Sequence, residues 1–306
     1  MWWDKTLERW INEGLDPKLT GDDLYRHFNL DVHRQYWFQC LDEHCPKPVS
    51  NGAPLIHSLE DYQALKVLLY PEHRIDAMLD DMLAARDAHN RGDIVEWFSM
   101  DGAFWFPRTL FGIENHFLSF FDEPDLYHRI VDDLVDFEIR QMEKIFQICT
   151  PEFMTIAEDM SYNNGPMLSE AFFHEFLSPY YKCVVPFIKA RGTKVFVDTD
   201  GDVTKMIPWL KSVGVEGVLP LERMAGVDIV GIRETYPDFL LLGAFDKTTM
   251  KGGEEAMRKE FERILPVMKK GGYIPGVDHQ TPPDVSLANF KIFVRLLYEY
   301  AKKAVF

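Results

Sequence analysis

The spacing of apolar positions changes character about a third of the way along the chain. Over residues 1–90 it is helical or irregular. Residues 6–13 carry helical spacing and stop at Gly14, and residues 21–28 offer a second short helix. Residues 61–69 and 74–86 read as amphipathic helices on either side of Pro71. From residue 94 onward, short apolar runs alternate with long amphipathic stretches. Runs at 94–100, 153–157, 194–197, 217–221, 240–245 and 273–277 predict strands. Residues 125–149, 203–213, 254–270 and 286–303 predict helices, as does a stretch that Ser169 N-caps and that reaches Arg191-Gly192, with kinks at Pro179 and Pro186. Strands that alternate with helices at this interval imply βαβ units and a parallel sheet.

The strand ends carry a second signal. Glu158, Asp198, Asp200, Glu222, Asp246 and His279 each follow an apolar run at its carboxyl end. In a (β/α)8 TIM-type barrel those ends converge on one mouth, whereas a doubly wound sheet spreads them along a line. The expectation is therefore an α/β barrel, with residues 1–90 as a helical and irregular segment packed on a barrel body of residues 91–306, one domain overall.

Charge narrows the partners. Lys and Arg number 33 against 49 Asp and Glu, a formal net charge of −16, which opposes binding to nucleic acid or to anionic membrane surfaces. No run approaches the roughly 20 apolar residues of a membrane span, and Met1-Trp2-Trp3-Asp4-Lys5 lacks the basic start of a signal peptide. Four cysteines do not make a disulfide scaffold, and a cytoplasmic location is expected. Cys40 and Cys45, with His44 between them, match no zinc module, so free or buried thiols are expected there. The high aromatic share, 14%, fits either a bulky core or a pocket for a flat ligand.

Candidate chemistry gathers at the strand ends. Asp198 and Asp200 are two residues apart at the end of a strand, so both carboxylates are expected to point the same way. With Glu158, Glu222 and His279 they form a donor set suited to Zn2+ or another divalent metal. Helix capping is the alternative for part of this set. Asp246-Lys247 offers an acid beside a base, or a salt bridge closing the mouth. Asp159 and Tyr162 follow another strand. Trp105 and Phe106 stand beside Arg108, in a segment that reads as a ligand wall, a lid or a packed loop. No G-x-S-x-G elbow and no dinucleotide G-x-G-x-x-G occurs.

Several segments together resemble the uroporphyrinogen decarboxylase superfamily. Asp198-Thr199-Asp200-Gly201 is similar to its His-Ser-Asp-Gly segment. Gly165-Pro166-Met167-Leu168-Ser169, running on to Ser178-Pro179-Tyr180-Tyr181-Lys182, is similar to a second motif. Gly271-Gly272-Tyr273-Ile274-Pro275, Asp278-His279, Pro282-Pro283-Asp284 and Asn289 resemble its C-terminal signature, and Gly112-Ile113-Glu114-Asn115 with Asp122-Glu123-Pro124 resembles the approach to its long helix. The resemblance, over about residues 55–303, implies a (β/α)8 barrel that either decarboxylates uroporphyrinogen or transfers methyl groups to or from a corrinoid protein with zinc at the mouth. The Arg-rich N-terminal segment of the decarboxylase branch is absent, and the thiolate ligands of the thiol methyltransferases are replaced by carboxylates. Residues 6–15 resemble sequence that normally lies close to the first barrel strand, so a barrel incomplete or rearranged at that strand is expected.

The expected function is thus a methyltransferase. It would use a metal held by some of Glu158, Asp198, Asp200, Glu222 and His279, with Asp198, Asp200, Glu222 and Asp246 as catalytic groups. Trp105, Phe106, Arg108, Asp159 and Tyr162 would hold a small, methoxyaromatic donor, and the methyl group would pass to the corrinoid of a partner protein. A decarboxylase of a smaller substrate and a non-catalytic binding protein are the alternatives; a homodimer is left open.

Overall fold

Seven parallel strands curl around a narrow interior in the computed structural model, which describes residues 2–305. In chain order the strands are β1 (Val32–Trp37), β2 (Ile94–Asp101), β3 (Phe153–Ala157), the two halves of a small hairpin, β4 (Ser161–Tyr162) and β5 (Gly165–Pro166), then β6 (Lys194–Asp198), β7 (Gly217–Leu219), β8 (Leu240–Phe245) and β9 (Tyr273–Val277). The sheet order is β1-β2-β3-β6-β7-β8-β9. Helices α1 (Asp4–Asn12) and α2 (Asp22–His27) precede β1 in the chain, and α3 (Leu59–Leu65) and α4 (Asp76–Asn90) follow it. Helices α5 (Trp105–Phe111), α6 (Ile113–Asp122) and α7 (Pro124–Phe146) link β2 to β3, and α8 (Glu170–Phe172) and α9 (Ser178–Lys189) link the hairpin to β6. The remaining crossovers use α10 (Ile207–Ser212), α11 (Ile229–Thr235) and α12 (Glu254–Lys270), and α13 (Leu287–Val305) follows β9. None of the helices is long and apolar enough to cross a membrane.

Strand alternation divides the side chains between two layers. Trp97, Phe196 and Leu219 pack together inside the sheet with Phe153, Leu240 and Leu242. Their neighbours Phe98, Met154, Val195, Val197, Val218 and Leu241 face the helices and join the main core, which runs from Trp10 to Tyr300. Within the sheet, Gln35 donates to Ser99 Oγ at 2.8 Å, and Ser99 shares a 2.7 Å hydrogen bond with Thr155. That row satisfies polar groups that burial would otherwise leave costly.

The barrel is incomplete, and the opening lies between β9 and β1. The first 90 residues are not merely helical: β1 pairs with β2 from Val32↔Ile94 to Trp37↔Ser99. The sequence Val-His-Arg-Gln-Tyr-Trp hides this strand because both of its faces carry polar groups. Arg34 on the outer face bonds Asp22 and Asp81, while Gln35 turns inward. Helix α1 fills the opening on the β9 side. Thr6 Oγ1 donates to the Thr281 carbonyl at 2.8 Å, Trp10 Nε1 to Val285 at 2.9 Å, and Glu13 accepts from the Leu287 N–H at 2.6 Å. Trp2 bridges to Thr281 and packs among Trp10, Tyr25, Phe28 and Phe290.

Candidate active site

The carboxyl ends of the strands surround a cavity of about 500 Å³. Its apolar walls include Trp37, Trp97, Trp105, Leu219 and Leu242, and its polar lining includes His33, Gln35, Glu158, Asp159, Asp198, Asp200 and His279. The expected convergence of strand ends is thus present. Backbone geometry marks the same rim. Asp159 (φ 45°), Leu221 (φ 62°), Ala244 (φ 62°) and His279 (φ 145°) adopt positive φ at or next to the ends of β3, β7, β8 and β9. Such conformations cost of order 1–3 kcal/mol each and gather at functional sites.

Asp198 and Asp200 both line the cavity. Burial, then the negative charges of Asp200 and Asp159, push Asp198 up to about 7. Burial and Glu222 raise Asp200, with His279 and Lys247 opposing. Thr199 between them is turned the other way: its hydroxyl accepts from the Met160 N–H (3.0 Å) and the Ser161 N–H (3.2 Å) and fixes the strand end. Gly201 is obligatory at this turn. Its φ is +81°, and a Cβ there would lie 2.4 Å from the Tyr162 backbone.

The two cations at the mouth already have partners. Arg108 approaches Asp159 at 3.3 Å and lies 5.3 Å from the centroid of the Trp105 ring. Lys247 lies 3.8 Å from Glu222 and 3.6 Å from buried Asp278. Asp278, named in the C-terminal signature but not among the expected site residues, also accepts the backbone N–H groups of Arg223 and Lys247. His33, Gln35 and Trp37 were missed with β1.

Three expected site residues, Phe106, Asp246 and Tyr162, lie outside the cavity lining, and Glu158 lines it with its carboxylate already engaged. Glu158 is not at the disposal of a metal: its carboxylate accepts the N–H groups of Ala103, Phe104 and Trp105 and the Tyr181 hydroxyl. It holds the start of α5, and burial pushes it up to about 7 despite those four donors. Phe106 is fully buried and packs against Tyr70, because α5 turns residues 105 and 108 toward the mouth and 106 away. Asp246 accepts from the Thr248 N–H and hydroxyl and caps the turn that follows β8, so it is neither a catalytic acid of the cavity nor the partner of Lys247. Tyr162 lies on the small hairpin with its ring half exposed, outside the cavity lining.

The remaining acids do not fit a divalent metal at the mouth. Glu222 accepts the Gly201 N–H at 2.9 Å and lies near the Lys247 ammonium, which supplies the positive charge locally. Among the described residues, no three of Glu158, Asp198, Asp200, Glu222 and His279 bring ligand atoms within 4.8 Å of one another.

A parallel, curled α/β sheet with a polar mouth at its carboxyl ends defines a barrel-type enzyme scaffold. The family model described as Uroporphyrinogen decarboxylase (URO-D) matches residues 52–300, and the chain belongs to that family. No curated protein matches. A solved structure of a putative vitamin-B12-independent methionine synthase from Listeria monocytogenes shares the fold, with 9% identity and a TM-score of 0.50 over 99% of this chain and 95% of that one. A B12-independent methionine synthase from Shewanella sp. W3-18-1, solved with selenomethionine, is similar at 10% identity and a TM-score of 0.44, over 74% of this chain and 66% of that one, just under two thirds of its length.

Proposed function

We propose that the cavity is the active site of an acid-assisted methyltransferase acting on a small methoxyaromatic donor. The observation that carries this reading is Asp198, a cavity-lining carboxyl held near pH 7 beneath aromatic walls. An aryl methyl ether has a poor leaving group until its oxygen is protonated. Asp198 gives its proton to that oxygen as the O–CH3 bond breaks, the phenol departs, and the methyl group goes to the electron pair of an acceptor nucleophile. Asp198 is left as a carboxylate and is reprotonated from the cavity. Trp105 and Trp97 offer faces for the ring. The acceptor that the resemblance implies is a corrinoid protein docked over the mouth; no residue described above holds a corrinoid in this chain. No step requires a metal at the mouth.

A polycarboxylate substrate suits the site badly. Asp159, Asp198, Asp200, Glu222 and Asp278 crowd the mouth, and the nearby cations Arg108 and Lys247 are already paired with acids. That balance favours the methoxyaromatic donor over decarboxylation of a tetrapyrrole.

Two measurements test the proposal. Tryptophan fluorescence should respond saturably to vanillate-like compounds. Release of the phenol with cob(I)alamin as acceptor should fall at least 100-fold in Asp198→Asn, and kcat/KM should decline as pH rises through about 7. Unchanged turnover in Asp198→Asn would remove Asp198 as the acid, and the absence of any response to methoxyaromatics would remove the substrate class.

A further inference from the structure

On the opposite face of β2 from the cavity, three side chains of metal-ligand type meet. His89 closes the last turn of α4, Glu96 is the third residue of β2, and Cys149 follows α7 on the way to β3. Because Trp97 points into the cavity, Glu96 points outward, under α4. One ligand atom from each of the three lies within 4.8 Å of the others, and His89 Nδ1 is 3.9 Å from Glu96 Oε2. Glu96 and Cys149 are buried, and the His89 side chain is only 8% exposed.

The group is only partly satisfied: Glu96 Oε1 accepts the Tyr36 hydroxyl at 3.3 Å, and the Cys149 thiol bonds the Glu96 carboxylate. His89 Nδ1 and Glu96 Oε2 are both buried without a hydrogen-bond partner. Burying a carboxylate oxygen unpartnered is costly, and native folds seldom tolerate it. Burial, then Glu96, also pushes the Cys149 thiol up. The other imidazole nitrogen is provided for: His89 Nε2 lies 3.0 Å from Glu152 Oε1, and the second oxygen of Glu152 accepts the Glu96 N–H. A carboxylate on the far nitrogen is the arrangement that orients a metal-bound imidazole and fixes its tautomer.

We propose that His89, Glu96 and Cys149 bind a Zn2+ ion that is separate from the active site and ties α4 and the α7–β3 connection to β2. Imidazole nitrogen, carboxylate oxygen and thiolate are all ordinary zinc ligands. Bonds of about 2.0–2.3 Å place tetrahedral ligand atoms roughly 3.3–3.8 Å apart, so atoms now within 4.8 Å of one another draw together by up to about 1.5 Å. A thiolate and a carboxylate neutralise the dication, as a buried site requires, and binding releases the Cys149 proton to solvent. The ion takes up both orphaned atoms. The three side chains leave the fourth tetrahedral position to water, and the position away from the strand ends suits a role in stability.

The test uses the full-length protein stripped of metal. After incubation with Zn2+ and desalting, elemental analysis should find close to one zinc per chain, with a raised melting temperature. Co2+ in place of zinc should give an intense near-ultraviolet thiolate-to-metal absorption. That band needs no variant, so it decides the matter even if substitutions unfold the chain. Cys149→Ser should abolish the band, Glu152→Gln should weaken metal affinity about 10–100-fold, and Cys183→Ser and His279→Ala should leave metal binding intact. No uptake by the wild-type protein, or cobalt bound without the thiolate band, would overturn the proposal and leave a proton on His89 as what joins the two glutamates. So would zinc retained in Cys149→Ser but lost in His279→Ala, which would put the ion at the mouth.

Discussion

Asp198 shows how one buried carboxyl couples reactivity to stability. In the unfolded chain it ionises near 3.8; in the fold it is held up to about 7. Its neutral form is favoured by folding, so its contribution is complete below the unfolded value. It declines as pH rises and is gone once pH passes the folded value. Buried Glu158 and Asp101, pushed up to about 7 and about 6, act in the same direction. Chemical denaturation should therefore give a lower unfolding free energy at pH 8 than at pH 5. Asp198→Asn, neutral throughout, should reduce that fall by about 2–3 kcal/mol. An unchanged pH slope in the variant would show that Asp198 is not the group responsible. Trp105 supplies a second check at this scale. Trp105→Ala should weaken binding of a methoxyaromatic by about 1–3 kcal/mol, read by calorimetric titration.

The elements show which parts of the pattern carried information. Strands β3, β6, β7, β8 and β9 announce themselves as apolar runs ending in polar residues, so Asp198, Asp200 and His279 could be placed at the mouth from the chain alone. Strand β1 could not, because Arg34 and Gln35 answer to partners on other elements rather than to a period of two. Helix α5 was equally hidden. Residues 102–108 read as a loop because the helix start is stabilised by Glu158, 53 residues from Trp105, and not by a local cap. The same long-range capping removed Glu158 from the donor set. Gly102 is part of this device: a Cβ there would lie 2.1–2.4 Å from the Glu158 carboxyl group. Gly102→Ala must displace a buried carboxyl from four donors, so it should cost about 2–4 kcal/mol in unfolding free energy and weaken ligand binding through Trp105 and Arg108. A thermal melt and a binding isotherm on this one variant test both effects; wild-type values in both would mean that α5 does not depend on Glu158.

At the scale of the whole molecule, a seven-stranded open barrel must cover two strand edges that an eighth strand would otherwise pair. On the β9 side the chain does this with its own beginning. Helix α1 contributes two side-chain hydrogen bonds from buried groups, Thr6 to Thr281 and Trp10 to Val285, and Trp10 stacks on Phe290 of α13 with ring centroids 4.5 Å apart. Trp10 is fully buried, so truncation leaves a cavity at the seam and an unpaired Val285 carbonyl. Trp10→Ala should cost about 3–5 kcal/mol, as expected for a large buried aromatic. Trp10→Phe, which keeps most of the packing and loses the N–H donor, should cost about 1–2 kcal/mol. If α1 were only an appendage on an otherwise self-sufficient barrel, hydrogen exchange in Trp10→Ala would rise within α1 alone. The contacts to residues 281–287 predict instead that protection falls together in α1, in the 278–287 segment and at the start of α13. Because Asp278 and His279 lie in that segment, ligand affinity should fall with it.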